Sequence, residues 1–276
     1  MKVEQEIIIG PDRTFRGFWK DLWQFRDLFY FLSWRDVLVR YKQTVVGIAW
    51  AILRPLLMMI VFTLIFSKLA RFPSDGNAPY PILVFAGMLP WLFFSSALTE
   101  CSGSLVGHAP MITKIYFPRI IVPASSILVS LVDFLISLII LFFFMVLYGF
   151  YPDWHVLFLP FFLLLSIFFS FGLGLWFAVL NVKFRDFRYV VPFLVQVGLY
   201  VSPVGFSSSV VPGKWRLLYS LNPMAGVIDG FRWALLGGES SLYLPGLILS
   251  LVVIAILCGT AFRYFRKAER EFADVI

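Results

Sequence analysis

Charge is scarce in this sequence: Asp, Glu, Lys and Arg together make up only 14% of its 276 residues. A soluble domain carries about 25%. With 60% hydrophobic residues and a mean hydropathy of +0.87, a water-soluble body of this length could not hide its apolar surface, so lipid must be the solvent. Cysteine is nearly absent. Cys101 and Cys258 both lie in apolar runs, which excludes a disulfide framework and a cysteine zinc site. Two histidines, His108 and His155, are too few for a multi-histidine metal centre. A phosphate-binding loop is missing as well: Gly213-Lys214 is followed by Trp215, and no glycine stands five residues before Gly213. Inside the apolar runs the carboxylates are Asp133 and Glu100, too few for a proton relay. For Asp133 a hydrogen bond to a neighbouring helix is expected, and Glu100 is expected near a span end. No internal repeat of the kind found in secondary carriers is visible.

What the sequence does hold is apolar length. Six stretches predict six membrane-crossing helices, at about 48–69, 82–105, 120–150, 156–180, 189–204 and 242–262, since about 20 apolar residues cross a bilayer core. Of the 23 Lys and Arg residues, eighteen flank one side of this pattern and five the other. By the positive-inside rule both termini are then cytoplasmic. Met1–Pro11 is polar and mixed in charge, which predicts no cleavable signal peptide. Phe15–Leu32 interleaves Phe, Trp, Leu and Tyr with Arg16, Lys20, Asp21, Arg26 and Asp27 at helical spacing, an amphipathic helix lying in the cytoplasmic interface. The expected layout is a cytoplasmic N-terminal segment over 1–47, a membrane domain over 48–262 and a cytoplasmic tail over 263–276. Between the last two spans, Ser202-Pro203, Val211-Pro212-Gly213 and Leu221-Asn222-Pro223 divide the chain into short apolar pieces. Two re-entrant helices are expected there, at about Val204–Val211 and Pro223–Leu236, because broken backbone at membrane depth survives only where protein or a water-filled cavity encloses it.

A membrane path and a broad basic face without an engine describe a subunit driven by a partner. The motifs agree. Ser33-Trp34-Arg35-Asp36-Val37-Leu38-Val39-Arg40-Tyr41-Lys42 leads into Gly47-Ile48-Ala49-Trp50-Ala51 and Leu53-Arg54-Pro55-Leu56. Then come Gly87-Met88-Leu89-Pro90-Trp91-Leu92-Phe93-Phe94, Ile112-Thr113-Lys114-Ile115-Tyr116-Phe117-Pro118-Arg119, Leu180-Asn181-Val182-Lys183-Phe184-Arg185-Asp186 and Leu221-Asn222-Pro223-Met224. In order and spacing, from about residue 15 to 265, this series resembles the membrane subunits of ABC-2 type exporters of lipid-linked polysaccharides such as O-antigen, capsule and teichoic acid.

The resemblance implies an all-α fold, a homodimer of six-span subunits and two copies of a separate ATPase that holds ATP and Mg, with no cofactor in this chain. A channel at the homodimer interface would export a polymer carried on polyprenyl pyrophosphate across the cytoplasmic (inner) membrane. The loop from Gly107 to Arg119 would engage the ATPase and narrow the entrance, with Lys114, Tyr116, Phe117 and Arg119 as its coupling and gating residues. Trp91, Phe93, Phe94 and Tyr116 are candidates for stacking on sugar faces. Arg35, Arg40 and Lys42 are candidates for pyrophosphate or lipid headgroups. Partners are thus the ATPase, a second copy, the lipid-linked polymer and membrane lipid, and no nucleic acid. Export of a small hydrophobic molecule on the same fold is one alternative. A membrane glycosyl- or acyltransferase is another, but it would need clustered Asp, Glu or His on one face, which the sequence does not have.

Overall fold

The computed structural model describes residues 22–42, 47–72, 78–238, 240 and 242–269, and among these the regular structure is all helix, joined by turns and short loops. Helix α1 covers Arg26–Lys42. Helix α2 covers Gly47–Thr63 and ends in a π-helical turn, Leu64–Leu69. Tyr80–Gly107 is α3, and a single turn at Ala109–Ile112 is α4. Ile121–Leu147 forms α5; a 3-10 turn at Trp154–Phe158 leads into α6, Leu159–Lys183. Phe187–Val201 is α7. After it come two short helices, α8 at Gly213–Tyr219 and α9 at Pro223–Leu235, and then α10, Leu244–Ala268.

Five of these elements are long and apolar enough to cross a membrane: Ala49–Leu69, Tyr80–Gly107, Ile121–Leu147, Trp154–Lys183 and Leu244–Ala268. The fifth expected span, 189–204, is instead the 15-residue α7. At 1.5 Å per residue it reaches about 22 Å, short of the roughly 30 Å of hydrocarbon. Its end is set by Pro203, which drives the preceding Ser202 out of helical geometry, to ψ 151°. The six-element plan holds, with one element that does not span alone.

Beyond α7 the re-entrant region differs from expectation in its first half. Val204–Val211 forms only a 3-10 turn, Ser208–Val210, because Pro203, Gly205 and Pro212 crowd the segment. A helix not expected from the sequence, α8, follows it. The second piece matches: Pro223 sits at the first helical position of α9, and the Asn222 side chain caps it by accepting from Met224 N at 3.1 Å. The same amide donates to Ser202 Oγ at 2.9 Å, pinning the end of α7 to the start of α9. The N-terminal helix also differs. It runs ten residues past the expected end at Leu32, while the part of Phe15–Leu32 before Leu22 lies outside the described residues, as does the tail beyond Glu269.

Helix α3 is the hub, buried on nearly all sides and packed against α5 and α6 most extensively, then α9, α2 and α7. Lipid tails are as apolar as Leu, so helix association here depends on close approach rather than on hydrophobic burial. Glycine supplies that approach. A Cβ on Gly174 would lie 2.5 Å from Cys101 Sγ, and one on Gly172 would lie 2.9 Å from Cys258 Sγ. Both cysteines are thus packing residues at the α3–α6 and α6–α10 crossings.

A second small core closes the end of the bundle where Lys114, Arg119, Lys183 and Arg266 gather. It joins Leu32, Leu105, Ile112, Phe117, Ile121, Val179 and Phe265 from six helices and the loop before α5. At the opposite end Arg232 of α9 is fully buried. Its guanidinium donates to Val204 O at 2.8 Å, Phe206 O at 2.7 Å and Leu83 O at 3.2 Å. Val204 O and Phe206 O belong to non-helical chain, so Arg232 satisfies backbone that lipid could not.

Candidate functional site

Two regions gather the residues singled out by the sequence. The first is the α3–α5 connection at the basic end. Helix α4 is a single turn, and beyond it Lys114, Ile115 and Tyr116 form an exposed tip. Phe117 turns the other way, into the core beside Phe265 and Ile121. Arg119 is held by the end of α10: its backbone N donates to Glu269 Oε1 at 3.0 Å, and its guanidinium donates to Glu269 O. One stretch of sequence therefore has three roles. Lys114 and Tyr116 are presented outward, Phe117 anchors the loop, and Arg119 ties it to the last membrane helix.

The second region is a cleft between α1, α2, α3 and α5. Its larger part is a cavity of about 540 Å³ bordered by Arg40, Tyr41, Trp50, Arg54, Phe93, Ser96, Ser130 and Asp133. A depression of about 430 Å³ continues from it past Arg40 towards Asp36, Glu100 and His108. Arg40 is the divider. Its guanidinium pairs with Asp133 Oδ2 at 2.8 Å and Glu100 Oε1 at 3.3 Å. Tyr41 donates its hydroxyl to Asp133 Oδ1. Burial first, and then this hydrogen bond to a carboxylate, push the Tyr41 phenol above the ordinary tyrosine value. Asp133 is therefore hydrogen-bonded to a neighbouring helix, and Glu100 is half exposed near the end of α3.

Arg35 forks onto Asp36 Oδ1 at 2.7 and 3.0 Å and also donates to His108 Nε2. With Nε2 accepting, the His108 ring carries its proton on Nδ1 and donates to Ser104 O at 2.9 Å. Of the three cations considered for phosphate, Arg35 and Arg40 are thus engaged by carboxylates, and Lys42 is exposed at the end of α1.

Trp91, Phe93 and Phe94 are all buried within the protomer. Phe94 stacks on Phe169 with centroids 4.8 Å apart, Trp91 packs over Gly198 of α7, and Phe93 makes an edge contact with Phe134 while bordering the cavity. The rings left uncovered lie elsewhere. On α7, Tyr189, Phe193 and Tyr200 are exposed in one stripe with Gln196. Their spacing of four, three and four residues is the helical signature that could have identified this stripe in the sequence. Among the described residues no cluster of His, Cys, Asp or Glu could hold a metal ion.

A profile of the family described as ABC-2 type transporter matches residues 27–236. The O-antigen export system permease protein RfbA of Klebsiella pneumoniae is 29% identical over 257 residues, covering 91% of this chain and 95% of that protein. The protein of the same name in Myxococcus xanthus is 28% identical over 260 residues, covering 93% and 98%. More distantly, the polysialic acid transport protein KpsM of Escherichia coli is 22% identical over 208 residues, 75% of this chain and 80% of that one.

Proposed function

The chain belongs to the ABC-2 type transporter family, and from that premise we propose that two copies form the membrane path of an ATP-driven exporter of lipid-linked polysaccharide. It is an integral membrane protein and a transport subunit. The finer reading gives ATP hydrolysis to a separate partner, puts both termini in the cytoplasm and locates the protein in the cytoplasmic membrane. Eighteen of 23 basic residues on one set of flanks support that orientation. Permease relatives matched over nine-tenths of the chain support the cargo class.

The observation that carries the reading is the uncovered face of α7. A helix too short to cross lipid alone, with Gln196 exposed among Tyr189, Phe193 and Tyr200, is ill suited to hydrocarbon, where an unpaired amide costs free energy. Against a second copy across an aqueous path the same stripe is well suited. Its rings offer flat apolar surfaces to sugar faces, and its amide offers a donor and an acceptor to hydroxyls. Weak repeated contacts suit a moving polymer, because one deep site would stall it. Energy enters at the other end. The exposed Lys114–Tyr116 tip is the surface offered to the ATPase, and Phe117 and the Arg119–Glu269 tie pass its displacement to α5 and α10.

The test is reconstitution. The chain alone should hydrolyse no ATP, and the chain with its ATPase should. Cells lacking the chain should lose surface polysaccharide and regain it with the wild type. In that background Gln196→Leu together with Phe193→Ala should lower export at equal membrane level. Full export by this variant would refute α7 as the path wall, and unchanged surface polysaccharide in the deletion strain would refute the cargo.

A further inference from the structure

Arg54 stands apart from the other cations of the cleft. It lies two turns into α2 and borders the 540 Å³ cavity, yet it makes no hydrogen bond or ion pair among the described residues. The nearby carboxylate is directed elsewhere: Asp133 pairs through Oδ2 with Arg40 and accepts the Tyr41 hydroxyl on Oδ1. Ser130 Oγ donates to Ser96 Oγ at 2.9 Å and Ser137 Oγ to Asp133 O at 2.9 Å, and neither hydroxyl accepts from Arg54. Arg40 is paired with both Asp133 and Glu100, which leaves Arg54 as the arginine bordering this cavity that no carboxylate engages among the described residues.

A guanidinium within an apolar span is retained only where something compensates it. The surface around Arg54 says what that is. Val61 and Ile65, seven and eleven residues on, continue its face of α2, with Leu57 beside them, and all three are exposed and apolar. A cation at the basic end of an apolar stripe that runs towards the other side of the bilayer is complementary to an amphiphile with an anionic head and a hydrocarbon tail. Guanidinium prefers phosphate among such heads, because its planar donors meet two phosphate oxygens at once. The cavity volume falls in the range of about 300–1,000 Å³ typical of small-molecule sites.

We propose that Arg54 and the cavity beneath it bind the phosphate-bearing head of a membrane lipid, with the tail lying along Leu57, Val61 and Ile65. For the identity of the cargo the inference rests on the export reading, and it names the end of that cargo which this cavity receives. Arg40 then maintains the cavity wall, and Arg54 is the residue that touches the ligand.

Binding is measured by calorimetry on the full chain in phosphatidylcholine nanodiscs, with farnesyl diphosphate, farnesol and inorganic pyrophosphate as probes. Farnesyl diphosphate should bind the wild type, bind Arg54→Ala at least tenfold more weakly, and bind Arg54→Lys with intermediate affinity, since Lys keeps the charge but loses the fork. Farnesol should not bind. Inorganic pyrophosphate binding as tightly as farnesyl diphosphate, and lost equally in Arg54→Ala, would support the phosphate site and assign a free anion as its source. Undiminished binding of farnesyl diphosphate by Arg54→Ala, or no binding by the wild type, would overturn the proposal. Arg54 holds no partner among the described residues, so its alanine variant should keep the wild-type thermal transition. Polymer export is read separately in cells. Export without probe binding sinks this inference alone, and Arg54-dependent binding by a chain that exports no polymer sinks the functional reading alone.

Discussion

The ion pair between Arg40 and Asp133 is where the interface helix is fastened to the membrane helices, and its strength can be worked out. At 2.8 Å two unit charges in an effective dielectric of about 20 attract by about 6 kcal/mol before desolvation is subtracted. Solvent still reaches 31% of the Arg40 side chain and 24% of the Asp133 side chain, so screening and desolvation return most of that. Coupling within a shared network is commonly about 0.5–3 kcal/mol. The Tyr41 bond and the Glu100 arm place this cluster in the middle of that range, at about 1.5 kcal/mol. Asp133→Asn is the informative change, because it keeps an acceptor for Tyr41 and removes only the charge. A double-mutant cycle with Arg40→Gln, read by equilibrium unfolding in mixed micelles, should return that coupling. Asp133→Asn alone should lower the melting temperature by about 3–6 °C, at about 2–4 °C per kcal/mol for a chain of this size. If the two substitutions add to within about 0.3 kcal/mol, the pair does not fasten α1, and the account of the cleft wall fails.

Further tests follow from the same geometry. The raised Tyr41 phenol makes stability depend on alkaline pH: its contribution is fully present below the ordinary tyrosine value of about 10 and is lost as pH rises through the higher folded value. Tyr41→Phe should flatten that alkaline loss in a melting series from pH 8 upward, and an unchanged slope would exclude Tyr41 as its source. Gly87→Ala would place a Cβ 2.5 Å from Nη2 of Arg232 and displace a guanidinium held by three carbonyls. It should cost about 1–3 kcal/mol, measured by unfolding, while Gly103→Ala, with open space around it, should be near neutral. Glu269→Ala keeps the Glu269 carbonyl but frees Arg119 N, and should lower ATP-coupled export more than membrane level. Equal loss of both would make the tie merely structural. Cysteines placed at 184–186 and at 152–153 should label from opposite sides of the membrane, and labelling from one side would refute the topology.

How much of this was legible beforehand depended on periodicity and punctuation. The long helices were legible because each is an apolar run with one charge at most in its interior, as in α3 with Glu100 and α5 with Asp133. Where Pro, Gly and Ser interrupt the run, local signals gave only part of the answer. Asn222-Pro223 announced α9 correctly, as a cap followed by a proline at the first position. The segment from 204 to 211 gave no such signal, and its path depends on Arg232, a residue more than twenty positions later that takes two of its backbone carbonyls, Val204 O and Phe206 O. Composition cannot reveal a tertiary contact of that kind. The end of α7 was misjudged because hydropathy continues through Val204 while the backbone already turns at Ser202-Pro203.

The candidate site was legible by residue type and less so by direction. A Trp or Phe in an apolar run can face lipid, core or path, and hydropathy does not separate the three. Trp91, Phe93 and Phe94 were singled out because they cluster in sequence, yet at 100° per residue Phe93 points away from Trp91 and Phe94, whose rings meet on one side with centroids 5.4 Å apart. On α3, which neighbours surround on nearly every side, all of those directions are interior. The rings of α7 are spread over twelve residues, attract less notice, and share one face. For cations the limit is of another kind. Arg35, Arg40 and Arg54 look alike as residue types, and what distinguishes them is whether a carboxylate has already claimed the guanidinium. Asp36 claims the first, Asp133 and Glu100 claim the second, and the third has no claimant among the described residues. A polar contact within a membrane protein removes a charge from the pool available to ligands. Function is therefore to be sought at the cation that folding leaves over, and in this cleft that cation is Arg54.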